Sequence, residues 1–240
     1  WRERSKNWLA SFRAAPQALW DRALAAVHEE PPIPPGVEVS LVPVVALLET
    51  VGDGLTLTSA GYLPPQAALG LDERFEWSQE YALGRVRSEA DIHQLTILRE
   101  HVQAQRLLTV RGKRITVSAN GRRLLRDPGA LWLALVSPEP RWPQRFVHDA
   151  LAVLAAVALG GGPDDTGAQV DMASRILESK WTPVDERPVD DTVDYVWAEV
   201  HRAGWPLGWW SERSHHRLTP YGRAAAACWF RAAATRPLRE

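Results

Sequence analysis

Three segments of the chain share one pattern, an apolar residue, a hydroxyl residue, two variable positions and a glycine: Leu57-Thr58-Ser59-Ala60-Gly61, Val117-Ser118-Ala119-Asn120-Gly121 and Leu218-Thr219-Pro220-Tyr221-Gly222. The pattern suits a strand that runs directly into a helix. The apolar residue closes the strand and the hydroxyl caps free backbone N–H groups of the helix. Pro220 fits the first helical position, where its missing donor costs nothing. The last two copies also share their surroundings. Ahead of Val117 the sequence predicts a helix over 91–107, a strand at 108–110, a tight Arg111-Gly112-Lys113-Arg114 turn and a strand at 115–117. Ahead of Leu218 it predicts a helix over 190–203, a strand over 204–210 and a polar turn over 211–217, a few residues longer than the first. A repeated order of helix, strand, turn, strand and capped helix points to a mainly α fold with short β wings (α+β), built from two tandem modules.

The remaining segments fit around these repeats. Trp8, Leu9, Phe12, Leu19, Trp20, Leu24 and Val27 give an apolar helical face that Pro16 divides. Pro31-Pro32-Ile33-Pro34-Pro35-Gly36 cannot be helical and reads as a stiff connector. The expected organisation is therefore an N-terminal helical segment and connector over 1–36, a first module over 37–137 and a second over 138–240. Ser137-Pro138-Glu139-Pro140 marks the boundary, because closely spaced prolines end the preceding helix. In the first module, 44–50 is the expected first helix, 55–58 a small strand and 64–69 a second helix. Residues 70–90 then form a long insertion. In the second module, 146–159 and 167–178 are the expected first two helices. Its apolar run at 150–159 is about half of what a membrane span needs, so it reads as a buried core helix.

The order of elements resembles the winged helix-turn-helix fold, from recognition helix through wing to the following helix. The Leu218-Thr219-Pro220-Tyr221-Gly222-Arg223 segment resembles the strand-to-helix junction of MarR-like and PadR-like regulators. The chain is also similar to a plasmid-type family, a likeness that implies no activity. The winged-helix resemblance implies a third helix that enters a DNA major groove and a wing that touches phosphate.

Charge separates the two modules. The chain carries −1 overall, yet residues 91–126 hold eight cationic side chains against Asp91 and Glu100, a local +6. Arg111, Lys113 and Arg114 fall on the turn, and Arg122 and Arg123 on the helix after it, where exposed cations reach phosphate. On the preceding helix, Ile92, Leu95, Leu98 and Val102 share the buried face. His93, Ile97, Glu100, His101 and Ala104 lie opposite, and His93 and Gln94 are the candidates to read base edges. An equally open alternative is that these are solvated arginines of an arginine-rich chain, in which only Lys6, Lys113 and Lys180 are lysines. In the second module, 181–204 carries six acidic side chains against Arg187 and Arg202, a local −4 that a phosphate backbone repels. That module is expected to mediate dimerisation or effector sensing.

Tryptophan is abundant, with 12 residues, and cores are its usual place. In Gly204-Trp205-Pro206-Leu207-Gly208-Trp209-Trp210, the favoured reading is a wing strand that packs its aromatics onto the helices below, and Trp205, Trp209 and Trp210 are the candidate interface anchors in the alternative. On a strand Trp209 and Trp210 would face opposite ways, one buried and one not. No catalytic residue is expected, since the chain lacks a GxSxG elbow, a P-loop, GxGxxG and HExxH. His215-His216 has no cysteine or carboxylate at ligand spacing, so neither a metal nor a cofactor is expected. Asp190, Asp191 and Asp194 suit the first turn of a helix. The single cysteine, Cys228, fits a buried thiol in a reducing, cytoplasmic setting. The expected role is a DNA-binding transcription regulator, with duplex DNA and a homodimer mate or protein as partners, and no membrane. The alternative is a winged-helix scaffold that binds protein and no nucleic acid.

Overall fold

The computed structural model describes residues 7–29, 32–80, 85–137, 145–163, 165–181, 189–211 and 217–234. It is mainly helical, with one small antiparallel sheet among the described residues. Two compact units are present. A central unit comprises Gly36–Leu135 with Trp205–Leu207, and a flanking unit comprises Trp1–Pro35, Val136–Gly204 and Gly208–Glu240. The segment before residue 36, read above as a helix and connector, thus groups with the flanking unit.

The flanking unit begins with a helical turn at 7–10 and α1 (Gln17–Glu29), separated at Pro16. In the central unit come α2 (Val37–Val51), β1 (Leu55–Thr56) and α3 (Pro65–Phe75). Then follow α4 (His93–Ala104), β2 (Leu108–Arg111), β3 (Arg114–Val117), α5 (Ala119–Leu124) and α6 (Pro128–Leu135). The flanking unit resumes with α7 (Arg145–Leu159), α8 (Thr166–Glu178), α9 (Val189–Gly204) and α10 (Pro220–Ala234).

The sheet order is β1-β3-β2. Leu55 pairs with Ile115 and Leu108 with Val117, so both edge strands lie antiparallel to β3. Arg111 pairs with Arg114, leaving a two-residue loop. Gly112 has φ 59° there, and positive φ at the first loop position is what a tight type II′ hairpin requires. Ile92, just before α4, and Leu95, Leu98 and Val102 within it are fully buried with Ile115, Leu107 and Leu47.

Three boundaries differ from expectation. α2 starts at Val37 rather than Val44, because it runs through Pro43 at the loss of one backbone N–H bond. α3 extends to Phe75, which absorbs the start of the supposed insertion. The end of that insertion is also structured. Ser88 and Asp91 form a capping box around a 3-10 turn at Glu89–Asp91. The Asp91 carboxyl is held below its ordinary range, first by the Arg87 amide and then by Ser88. The stabilisation this gives is present above the usual carboxylate pKa and is lost as pH falls through the lowered value.

In the flanking unit α10 packs along α7, which α8, α9 and α1 also meet. All of Ala150–Val157 is buried, as the apolar run implied. Asp149, 4% exposed, sits at its head. The carboxylate accepts from Trp8 Nε1 (3.0 Å), Trp181 Nε1 (3.1 Å) and Lys180 Nζ (2.8 Å). The Lys180 ammonium also lies 4.3 Å from the Phe12 ring centroid, a cation–π contact. Trp8, Trp20, Trp132, Trp197, Trp209, Trp210 and Trp229 are all buried.

The repeated pattern is repeated geometry. After α4, Arg106 adopts φ 58° and the Leu107 N–H bonds the Val102 carbonyl. After α9, Gly208 adopts φ 64° and the Trp209 N–H bonds the Gly204 carbonyl. Both are helix-ending turns with one left-handed residue. Next, Leu108 pairs with Val117, and Trp210 with Leu218. Ser118 Oγ then accepts from the Gly121 N–H (2.9 Å) and donates to the Arg106 carbonyl (2.8 Å). Thr219 Oγ1 accepts from the Gly222 N–H (3.2 Å) and donates to the Gly208 carbonyl (2.6 Å). A Cβ at Gly121 would press on the Leu107 carbonyl oxygen, and one at Gly222 on the Trp209 carbonyl oxygen. Gly121→Ala and Gly222→Ala are each expected to cost about 1–3 kcal/mol in a denaturation experiment, the usual range for overpacking. The Thr58 copy differs: its Oγ1 accepts from Tyr62 N in a turn, and no helix starts at Ser59.

The second hairpin is more abbreviated than expected. Residues 205–208 form a turn instead of a strand, and Trp210↔Leu218 is an isolated bridge. The bridged residues lie eight apart in sequence, against nine for Leu108 and Val117, and most of the expected turn, 212–216, lies outside the described residues.

Candidate nucleic-acid interface

The cations of the central unit are set by the hairpin and the capped helix behind it. Arg111, Lys113 and Arg114 are exposed, as are Arg122, Arg123, Arg126 and Arg106. The type II′ loop holds Arg111 and Lys113 at the tip, where neither makes an ion pair among the described residues. Arg114 is tied down. Its Nη2 donates to the Asp53 carbonyl (3.2 Å), and its guanidinium occupies the space a Cβ on Gly54 would need. The Asp53 carboxylate stands 3.7 Å from Arg122 Nη1. One residue therefore touches cations of both the hairpin and α5, which places the two on one surface. Arg123 Nη2 donates to Asn120 Oδ1 (2.8 Å). Asp53 was missed in the sequence. Asp53 precedes a glycine in a turn and reads as turn chemistry, and only the fold brings it to the cations.

The helix α4 departs from its expected role. His93 is exposed at its start, but Gln94 is 3% exposed and is withdrawn as a base-reading candidate. Its position one residue before Leu95 turns it onto the packed side, and its Oε1 has no hydrogen-bond partner among the described residues. His101, expected on the open face, is buried with Nε2 3.0 Å from the Leu135 carbonyl. Arg99 is buried as well. Its Nε lies 2.6 Å from Oε1 of Glu89, which is fully buried, and Glu89 Oε2 accepts from the Leu63 N–H at 2.6 Å. One of the eight cations of the +6 segment is thus internal.

The tryptophan anchors also change. Trp209 is 2% exposed and Trp210 6%, so both are core residues and neither is an open interface anchor. The alternation expected of a strand fails because Trp209 belongs to the helix-ending turn. Trp210 instead stacks on His201, with ring centroids 5.0 Å apart, and donates from Nε1 to the His201 carbonyl. Trp205 is half-buried. No protein-family model, curated protein or solved structure matches the chain.

Other chemistry is sparse among the described residues. They contain no group of three or more His, Cys, Asp or Glu side chains placed to hold a metal ion, and no helix long and apolar enough to cross a membrane. His215 and His216 lie outside the described residues. Asp190, Asp191 and Asp194 are exposed at the start of α9. Burial raises the Cys228 thiol from 9.0 to about 11, against a smaller opposing effect of Arg231. The thiol is expected to react with thiol reagents far more slowly in the native than in the denatured protein at neutral pH. Its contribution to stability is present below pH 9 and is lost as pH rises through about 11.

Proposed function

We propose that the chain carries two winged-helix-like modules in tandem and that the central unit is a DNA-binding module of a regulatory protein. The observation that carries this reading is the surface shared by the β2–β3 hairpin and α5. There Arg111 and Lys113 are exposed at a tight loop, and Arg122, Arg123 and Arg126 are exposed on and just after α5. The order α2, β1, α3, α4, β2, β3 and the sheet order β1-β3-β2 support the winged-helix reading of the central unit. The matched junctions at Ser118 and Thr219 support its extension to the flanking unit. In the flanking unit the first turn of α9 exposes Asp190 and Asp191, which a phosphate backbone repels. The role of that unit in this reading is dimerisation or sensing.

Fluorescence anisotropy with labelled duplex DNA at low salt tests the reading. Arg111→Ala/Lys113→Ala is expected to weaken binding about tenfold or more, while Asp190→Ala leaves it unchanged. Absence of binding by the wild-type chain would contradict it. The competing reading, a protein-binding scaffold, draws on Val39 and Val42, which are 68% and 38% exposed one turn apart on α2. It gains if duplex binding is absent and Val39→Asp abolishes a co-purifying partner.

A further inference from the structure

We infer that the central unit meets duplex DNA hairpin-first and without reading its sequence, the hairpin tip and α5 holding phosphates while α4 contributes no base contacts. This rests on the DNA-binding reading above and specifies the class of target, a duplex of any sequence. A helix that reads bases must present hydrogen-bonding side chains to a groove floor and no anion to the flanking phosphates. α4 does neither. Gln94, Arg99 and His101, three of its side chains with the chemistry to read bases, are all buried. Arg99 is held by Glu89, and the Gln103 Oε1 faces Arg99 Nη1 at 3.5 Å. What α4 exposes is His93, Glu100 and Gln103, with Thr96 and Ile97 half-buried. Glu100 would stand against the phosphate backbone.

The hairpin side has the opposite character. Arg111 and Lys113 flank Gly112 at the tip of a two-residue loop, so both leave the same narrow end of the sheet. Arg106 is exposed where α4 has ended, and Ser118 Oγ donates to its carbonyl, which places its backbone beside the start of α5. Of the nearby anions, Asp53 has its carboxylate 3.7 Å from Arg122 Nη1, and Asp127 accepts from the Ala130 N–H at the start of α6. Cations on a hairpin tip and a short helix contact phosphate oxygens, which are the same in every sequence.

The test uses the full chain and a panel of labelled duplexes of unrelated sequence at one low salt concentration. Dissociation constants are expected to agree within about threefold across the panel, whereas base readout separates sequences by about tenfold for a single wrong base pair. Arg111→Ala/Lys113→Ala should weaken every duplex alike, and His93→Ala should change none. Glu100→Gln should tighten all of them equally. Circular dichroism of each variant establishes that it is folded. A preference of tenfold or more for one duplex that His93→Ala or Gln103→Ala removes would overturn the inference and leave DNA binding intact. Failure of the wild-type chain to bind any duplex would remove both.

Discussion

Replacing Glu89 with alanine is expected to destabilise the central unit by about 3–5 kcal/mol, the usual consequence of stripping one partner from a buried ion pair. Glu89 has no solvent exposure, and Arg99 is 8% exposed. One carboxylate oxygen holds Arg99 Nε and the other takes the Leu63 N–H, while the Glu89 carbonyl accepts from Thr96 Oγ1. Alanine would leave a buried guanidinium without its counter-charge and a buried backbone donor without an acceptor. Glu89→Gln keeps an acceptor for Leu63 and should cost less. Glu89→Met with Arg99→Met removes both charges and should be milder than the single alanine change. Hydrogen exchange of the α4 amides, followed alongside urea unfolding, reads the effect in the central unit. A loss below about 1 kcal/mol would mean that the pair is solvated rather than internal.

Asp149→Ala is expected to have a similar effect, about 3–5 kcal/mol, in the flanking unit. The carboxylate is the common acceptor of two indole N–H groups and the Lys180 ammonium, whose side chain is only 16% exposed. Trp8 is contributed by the N-terminal helical turn, so the same change should detach that turn from α7. Trp8 also meets Phe12 and Phe230 edge-on at 4.9 and 5.6 Å, and those contacts alone leave its N–H unpaired in a buried place. Limited proteolysis before α1, compared between wild type and Asp149→Ala, reports the detachment. Asp149→Asn retains one acceptor and should show a weaker version.

Much of this fold was legible because its periodicity is strong. The face of Ile92, Leu95, Leu98 and Val102 and the α7 run were set by apolar spacing, and both are buried. The junctions at Ser118 and Thr219 were legible because hydroxyl capping and a glycine under a carbonyl are local requirements. What escaped was polar residues facing inward. Periodicity places Arg99 and Gln94 outside by default, and nothing local announces that Glu89 will arrive beside Arg99 from an apparent insertion. The one available signal was Ser88-x-x-Asp91, the spacing of a capping box, which marks a helix entry where a loop was expected. Trp209 and Trp210 are core residues as favoured, and only the expected alternation between them failed. A strand alternates its side chains, but a helix-ending turn at Gly208 does not, and both rings turn into the core. Of the candidate site, the cations on the hairpin and α5 were legible from charge alone, and the restraint placed on Arg114 and Arg122 by Asp53 was not.

The most direct test of the central claim, that the first hairpin is a phosphate-binding surface, is the dependence of duplex affinity on salt. The logarithm of the binding constant should fall linearly with the logarithm of salt concentration, with a slope of about −0.9 for each phosphate neutralised. Arg111→Ala/Lys113→Ala should make the wild-type slope shallower by about 2, one unit for each lost contact. The same slope in the wild-type chain and in that variant would contradict the claim.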